Sequence, residues 1–187
     1  MLNRKRQIYK GMEKTRPEQR KRENLVGETF ASNAIPIRKG LRPKTLSGPL
    51  HIQCTGHGDR KYLEQLLAHV LSWPHIEALP TIAGRPDTIP IRIENEAAVN
   101  DSSAFISARE FARVLLGAQT IYLALPLVCA HWAIVRGWAE PHFLCSFGLL
   151  PPGAVLIYTP KDQEELAVCY SFFSDAYQFA CKFSRQR

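Results

Sequence analysis

The stretch "GWAEPH", residues 137–142, places a carboxylate and an imidazole two positions apart, at Glu140 and His142. A neutral imidazole is well matched to proton transfer near neutral pH, and a neighbouring carboxylate can orient it. Two interpretations stay open. In the first, Gly137 ends a helix, Trp138 packs on the core, and a backbone carbonyl satisfies His142. In the second, His142 forms one wall of a small-molecule site.

A second group of reactive side chains lies in "HIQCTGH", where His51, Cys54 and His57 are closely spaced. The spacing resembles part of a metal site, but a fourth ligand is not evident, and a glycine turn before a helix explains His57 equally well. Cys145 follows His142 by three residues. An inert buried thiol is the more common role of such a cysteine. The sequence therefore predicts no metal site.

Three stretches predict the helices that would position these groups. Asp59 is a suitable N-cap for "RKYLEQLLAHVLSW", whose apolar residues recur every three or four positions. "PLVCAHWAIVRG" predicts a short helix with Gly137 at its C′ position. In the third, "TPKDQEELAVCYSFFSDAYQFACKF", Thr159 is the expected N-cap and Pro160 the first helical residue of a long helix.

Several strands are expected between these helices. "TIPIRIE" alternates isoleucines with other residues, which predicts a half-buried strand, and Pro90 favours an edge position. "QTIYLAL" and "GAVLIY" predict two further strands. This order predicts a single α+β domain, in which a small mixed or antiparallel sheet is packed by an N-terminal helix, a short middle helix and a long C-terminal helix.

The positive charge of the chain is confined to its N-terminal part. Residues 1–49 hold thirteen Lys and Arg against four Glu, a net +9, whereas residues 50–187 hold eleven Lys and Arg against thirteen Asp and Glu, a net −2. We expect residues 1–49 to be a basic, partly disordered extension and residues 50–187 to be the folded domain. Sequence-specific nucleic-acid binding is not expected, because the domain lacks a basic face with base-reading side chains.

Features of export and of membrane insertion are not evident in the sequence. The chain opens with "MLNRKRQIYKG" and has no apolar run of the length that a membrane span needs. Its five cysteines show no paired spacing, which favours reduced thiols. We expect a cytoplasmic protein without an integral membrane segment, and the alternative is nuclear or membrane-surface association through the basic tail.

The order of five local motifs resembles the fungal luciferase-like family. The motifs are "SWPHIEALP", "REFARVL", "TIYLALP", "RGWAEPHFL" and "LIYTPKDQEELAVCYSFFSDAYQFA", and the resemblance covers about residues 63–183. Lys161 keeps the charge of the family's arginine, and nine positions agree with the family pattern: Arg109, Glu110, Thr120, Gly137, Trp138, His142, Tyr158, Pro160 and Asp162. The resemblance implies a luciferase-like α+β domain over residues 50–187.

The same resemblance implies which residues form the site. Three of the family's four histidines are replaced, by Arg113, Leu115 and Tyr122. Arginine cannot act as a base, and tyrosine with an ordinary pKa near 10 is a poor one. The expected catalytic residues are His142, with Glu110 or Glu140 orienting it, and Glu110 itself. The expected substrate-binding residues are Arg113, Tyr122, Arg109, Trp138 and Glu140.

The resemblance also implies a reaction class. Luminous members of the family oxidise a hydroxylated styrylpyrone with molecular oxygen and use no metal or flavin. We expect a divergent, cofactor-independent enzyme of fungal secondary metabolite biosynthesis that acts on a polyketide-like or aromatic enol by oxygenation, isomerisation, dehydration or cyclisation. No cofactor is expected, and molecular oxygen is the possible co-substrate. The loss of three histidines argues against light emission. The alternative is a non-catalytic small-molecule-binding or accessory protein that retains the scaffold.

Overall fold

The computed structural model of the protein describes residues 35–48, 50–78 and 87–181. The strands are β1 (Thr45–Leu46), β2 (Ile52–Gln53), β3 (Ile76–Ala78), β4 (Thr88–Ile93), β5 (Glu110–Leu115), β6 (Thr120–Ala124), β7 (Ala139–Pro141) and β8 (Ala154–Ile157). The helices are α1 (Arg60–Val70), α2 (Leu127–Val135) and α3 (Gln163–Ala180), with short 3-10 turns at Ser102–Ala104 and Phe143–Phe147. None of the helices in these ranges combines the length and apolar character needed to cross a membrane.

Six of the strands form one antiparallel sheet in the order β3-β4-β5-β6-β8-β7, and β1 and β2 form a separate hairpin. Helices α1 and α3 pack against each other, and α3 also contacts β5 and β6. The α+β class predicted from the sequence is confirmed.

The face of the sheet that carries the helices forms the main core. Paired positions on neighbouring strands, such as Ala112 with Leu123 and Leu123 with Val155, place their side chains on this face. Buried residues of all three helices complete the core, among them Leu66, Ala133 and Phe172. Burial of this apolar surface is the main stabilising contribution to the fold.

The opposite face of the sheet is more polar. Register pairs Arg113 with Tyr122, Tyr122 with Leu156, and Leu156 with Glu140, so one row of side chains crosses four strands. The β1–β2 hairpin covers this row, and Ile52 packs on the small cluster that contains Tyr122 and Leu156. This covered polar face holds the chemical groups considered below.

Two local expectations from the sequence are wrong. Helix α3 begins at Gln163, and its N-cap is Asp162, whose side chain accepts from the Glu165 N–H. Thr159 instead donates its backbone N–H to Gln53 Oε1 at 2.9 Å. Pro90 lies in β4, which is paired on both sides. Among the described residues, the pairs of β4 with β3 extend to Ile91, next to the proline.

The packed body begins before residue 50. Ile35 is 1% exposed and belongs to the main core, and the buried Arg38 guanidinium donates to Glu165 at 2.9 Å. The 35–48 segment, which the sequence analysis assigned to the extension, is therefore part of the folded domain. The remainder of that extension lies outside the described residues.

Candidate functional site

A cavity of about 310 Å³ opens where the β1–β2 hairpin meets the edge strand β7. Its wall is formed by the hairpin, by β7 and by the 3-10 turn that follows β7. The lining residues are Thr45, Ser47, His51, Glu140, Pro141, His142, Phe143 and Ser146. The cavity therefore contains two imidazoles and one carboxylate.

Glu140 lies at the centre of the polar contacts. Its Oε1 is 2.5 Å from His51 Nε2, and its Oε2 accepts the Tyr158 hydroxyl at 3.0 Å. The side chain of Glu140 is 24% exposed, whereas that of His51 is 2% exposed. The carboxylate thus faces the cavity, while the groups that hold it lie behind it.

Two hydrogen bonds determine the tautomer of His51. The Phe143 backbone N–H donates to Nδ1 at 3.2 Å, so this nitrogen carries no proton. The ring proton therefore lies on Nε2, which donates to Glu140. Both nitrogens of His51 are engaged within the protein, and its role is to support Glu140.

Tyr158 is the second support of Glu140. Burial, followed by the nearby Glu140 charge and the hydrogen bond to it, raises the pKa of Tyr158 to about 12. The hydroxyl therefore stays protonated near neutral pH and continues to donate to the carboxylate.

His142 is the N-cap of the Phe143–Phe147 turn, because its Nδ1 accepts the Leu144 N–H at 3.2 Å. Burial, followed by electrostatic interactions with His51 and Arg113, lowers the pKa of His142 to about 4. The ring is therefore neutral at physiological pH, with its proton on Nε2. Among the described residues Nε2 has no hydrogen-bond partner.

Tyr122 connects the hairpin with the sheet. Its hydroxyl donates to the backbone carbonyl of His51. The Tyr122 ring lies edge-on to His142 with 4.7 Å between ring centroids, and His51 lies 5.3 Å from His142 in the same manner. The rings of Tyr122 and His51 fix the position of His142 from two sides.

Glu110 and Arg113 form a two-pronged ion pair, with nitrogen–oxygen distances of 2.5 and 2.9 Å. Glu110 is 1% exposed, and the hydrogen bond to it raises the pKa of Arg113. Since Arg113 contributes to the low pKa of His142, its positive charge acts on the site even though it does not line the cavity.

The structure brings only some of the expected site residues together. Glu140 and His142 line the cavity, and Tyr122 packs directly against His142. The two candidate orienting carboxylates accept hydrogen bonds from other residues: Glu140 accepts from His51 and Tyr158, and Glu110 accepts from Arg113. His142 is oriented instead by the Leu144 N–H, because it caps the turn.

Of the five expected substrate-binding residues, only Glu140 lines the cavity. Arg113 and Tyr122 act on the site through His142, and the other two are engaged elsewhere. Trp138 is buried in the core and donates its indole N–H to Pro36 O at 2.6 Å. Arg109 adopts a positive φ of 57° and donates to the Ile93 carbonyl at 2.7 Å. It lines a separate concavity of about 450 Å³ together with Ile76, Glu77, Glu94, Asn95 and Glu96.

His51 is the residue whose role in the site the sequence did not predict. It was considered only as a metal ligand with Cys54 and His57. Within the described ranges, no three His, Cys, Asp or Glu side chains converge as metal ligands. A prediction of "HIQ" as a short strand could have revealed its role. This stretch pairs with β1 in a hairpin, and the His51 carbonyl accepts the Tyr122 hydroxyl of the sheet.

The comparisons with known proteins leave the site to be interpreted from its geometry. No protein-family model, curated protein or solved structure matches the chain. The likeness to the fungal luciferase-like family therefore stays a prediction from the quoted motifs.

Proposed function

We propose that the chain is a divergent luciferase-like enzyme that works without a metal or organic cofactor and forms an enolate from a polyketide-like or aromatic enol substrate. The observation that carries this proposal is that Glu140 and His142 line one cavity, and each is held from behind by the protein. A carboxylate and a neutral imidazole in one cavity form a proton acceptor and a hydrogen-bond donor.

The hydrogen bonds favour particular roles for the two groups. Glu140 accepts the acidic C–H proton of the substrate's keto tautomer, and the electron pair of the broken C–H bond moves onto the carbonyl oxygen to give the enolate. His142 donates its Nε2–H to that oxygen, and it remains a donor because its Nδ1 is occupied by the Leu144 N–H. The expected role of His142 as a general base is replaced by this one, since a pKa of about 4 makes it a weak base.

The surrounding charges support the same direction of proton transfer. The Arg113 guanidinium contributes a positive potential at His142, which favours a developing oxyanion there. His51 and Tyr158 donate to Glu140 and keep the carboxylate in one orientation. The enolate then isomerises, cyclises, eliminates water or reacts with oxygen, according to the substrate. We propose such an enzyme in the secondary metabolism of a fungus and without light emission.

A second candidate function is supported by a different observation. The contacts among His51, Glu140 and Tyr158 satisfy these side chains without any ligand. Fixing the hairpin on the sheet is a sufficient role for a complete polar network of this kind, without any catalysis. The second candidate is therefore a non-catalytic protein that binds a small molecule on the retained scaffold.

Deuterium exchange distinguishes the two candidates. The full chain is incubated in D₂O with a panel of hydroxypyrones and aromatic β-diketones, and exchange at the acidic C–H is followed by mass spectrometry. Binding of each compound is measured in parallel by calorimetry. The proposal expects enzyme-dependent exchange, with a loss of about 10²–10⁴ fold in Glu140→Gln and about 10²–10³ fold in His142→Gln.

A matched control variant is Glu64→Gln, which alters an exposed carboxylate paired with Arg60 on α1. This variant should catalyse deuterium exchange into the substrate at the same rate as the unaltered chain. Binding without exchange would support the non-catalytic candidate. Absence of both binding and exchange across the panel, or full exchange activity in Glu140→Gln, would overturn the proposed function.

A further inference from the structure

The exposed large apolar side chains of the described residues are concentrated in three segments: the 35–50 segment, helix α2 and the loop after β7. Helices α1 and α3 and strands β4–β6 contribute none of them. The side chains are Ile37, Leu41, Leu46, Leu50, Leu127, Val128, Val135, Phe147 and Leu149, each more than half exposed. Clustered exposure of this kind marks an interaction surface.

The outer side of helix α2 is largely apolar, with the exposed His131 lying among its apolar side chains. With 100° between successive residues, Leu127, Val128 and Val135 fall within one arc, while Ala130 and Ala133 on the other side are buried in the core. A helix that is apolar on its outer face as well as its inner face needs a second apolar environment. The described residues provide only the inner one.

Direct contacts join the three segments at the β7 edge of the sheet. The Arg38 backbone N–H donates to Arg136 O at 2.9 Å, and the Arg42 side chain donates to Ile134 O at 2.5 Å, so the 35–48 segment crosses the end of α2. Thr45 and Ser47 share the cavity wall with Phe143 and Ser146 of the loop after β7. We call this combined region the β7-edge surface.

The charge of the β7-edge surface is positive. The 35–48 segment holds Arg38, Lys39, Arg42 and Lys44 and no acidic residue, and Arg136 follows α2. Arg38 is neutralised by Glu165, and Lys39 is paired with Glu164, which leaves Arg42, Lys44 and Arg136. The preceding residues 1–34 add nine Lys and Arg against four Glu to the sequence.

We propose that the β7-edge surface docks the protein on an anionic lipid bilayer. Apolar side chains flanked by arginine and lysine match the boundary between acyl chains and anionic headgroups, where each group meets its preferred environment. A nucleic acid offers anionic groups without an apolar layer, whereas an anionic bilayer provides both. The cavity mouth lies within this surface, but the inference stands independently of the proposed reaction.

Vesicle sedimentation with the full chain tests the docking. Vesicles of phosphatidylcholine alone are compared with vesicles that contain about one third phosphatidylserine, each at low and at physiological salt. We expect binding to the anionic vesicles that weakens with salt. The double variant Leu127→Gln with Val128→Gln should lower the partition coefficient about tenfold or more, and Lys44→Gln should lower it about fivefold on anionic vesicles only.

The matched control is Gln65→Ser on the exposed side of α1, which should partition as the unaltered chain does. Thermal unfolding of each variant establishes that it is folded. Equal partitioning of the Leu127→Gln, Val128→Gln variant and the unaltered chain would overturn the proposal. Sedimentation velocity provides the other refuting result, a stable dimer that this double variant dissociates, since a second copy of the chain would then cover α2.

Discussion

Two buried titratable groups should impose opposite pH dependences on the stability of this protein. Asp175 on α3 is 7% exposed, and its Oδ2 has no hydrogen-bond partner among the described residues. Burial raises its pKa from 3.8 to about 6, opposed only by a hydrogen bond from the Cys129 thiol. His142 is equally buried, and its pKa is lowered from 6.5 to about 4.

The sign of the Asp175 effect follows from proton binding. Between pH 3.8 and about 6 the folded protein holds this proton while the unfolded chain releases it, so stability falls as the pH rises. The full difference corresponds to about 3 kcal/mol at 1.36 kcal/mol per tenfold change in proton affinity. Above pH 6 the protein carries the whole cost of a buried carboxylate whose Oδ2 has no hydrogen-bond partner among the described residues.

The sign of the His142 effect is the reverse. Between pH 6.5 and about 4 the unfolded chain binds a proton that the folded protein does not bind, so stability falls as the pH falls. The corresponding difference is also about 3 kcal/mol. Because the two windows overlap almost completely, the two contributions largely cancel in the unaltered protein.

Single substitutions should therefore reveal the separate pH dependences of stability that Asp175 and His142 contribute. Asp175→Asn imitates the protonated acid and should stabilise the protein at pH 7 by about 2–3 kcal/mol, an advantage that disappears near pH 4. His142→Asn retains an oxygen that can cap the Phe143–Phe147 turn. The difference in unfolding free energy between this variant and the unaltered protein should shift by about 3 kcal/mol in favour of the variant as the pH falls from 7 to 4. The double variant should show the effects of Asp175→Asn and His142→Asn together.

Urea denaturation at intervals from pH 4 to pH 7.5 provides the measurement. Asp59→Asn is the control, because Asp59 caps α1 from an exposed position and asparagine caps equally well; its curve should follow that of the unaltered chain. The reasoning is refuted if Asp175→Asn is less stable than the unaltered protein by the same amount at pH 4 and at pH 7. Such a result would mean that the carboxylate is already supported in the folded state.

Two further predictions concern the buried ion pair and metal content. Arg38→Ala should destabilise the protein by about 3 kcal/mol in urea denaturation, because it leaves the buried Glu165 carboxylate without the Arg38 charge. The double variant Arg38→Met with Glu165→Leu should be destabilised less, since it removes both charges. Equal destabilisation of the two variants would contradict the role of the pair. Purified protein should hold only substoichiometric zinc, iron and copper in elemental analysis, and stoichiometric metal that is lost together with the fold after chelation would contradict this.

The sequence predicted two of the helix ends correctly and misjudged a third. Asp59 caps α1, and Gly137 has a φ of 84° after α2, as local patterns indicated. The start of α3 was misjudged because "TPKD" contains a typical cap and first-turn proline. The backbone N–H of Thr159 is drawn away by Gln53, 106 residues earlier in the chain, and no local pattern encodes such a contact.

The same limit explains which site residues were missed. His142 and Glu140 were found because they are neighbours in the sequence, but His51 reaches Glu140 from 89 residues away. Arg109 and Glu110 are adjacent in the chain, yet Glu110 pairs with Arg113 beside the polar face, while Arg109 turns toward Ile93 and Glu77. Adjacency in the chain does not predict a shared location, because successive side chains of extended backbone point to opposite faces. The positive φ of Arg109 also turns the chain just before β5 begins at Glu110.

The candidate site depends on the 35–53 segment as much as on the sheet. Arg38 anchors this segment to the start of α3, Gln53 receives the Thr159 N–H, and the His51 carbonyl receives the Tyr122 hydroxyl. Opening of the segment therefore removes one cavity wall and the imidazole behind Glu140 in a single event. A substitution at Arg38, which does not line the cavity, should for this reason weaken the orientation of Glu140 in proportion to the population of the open state.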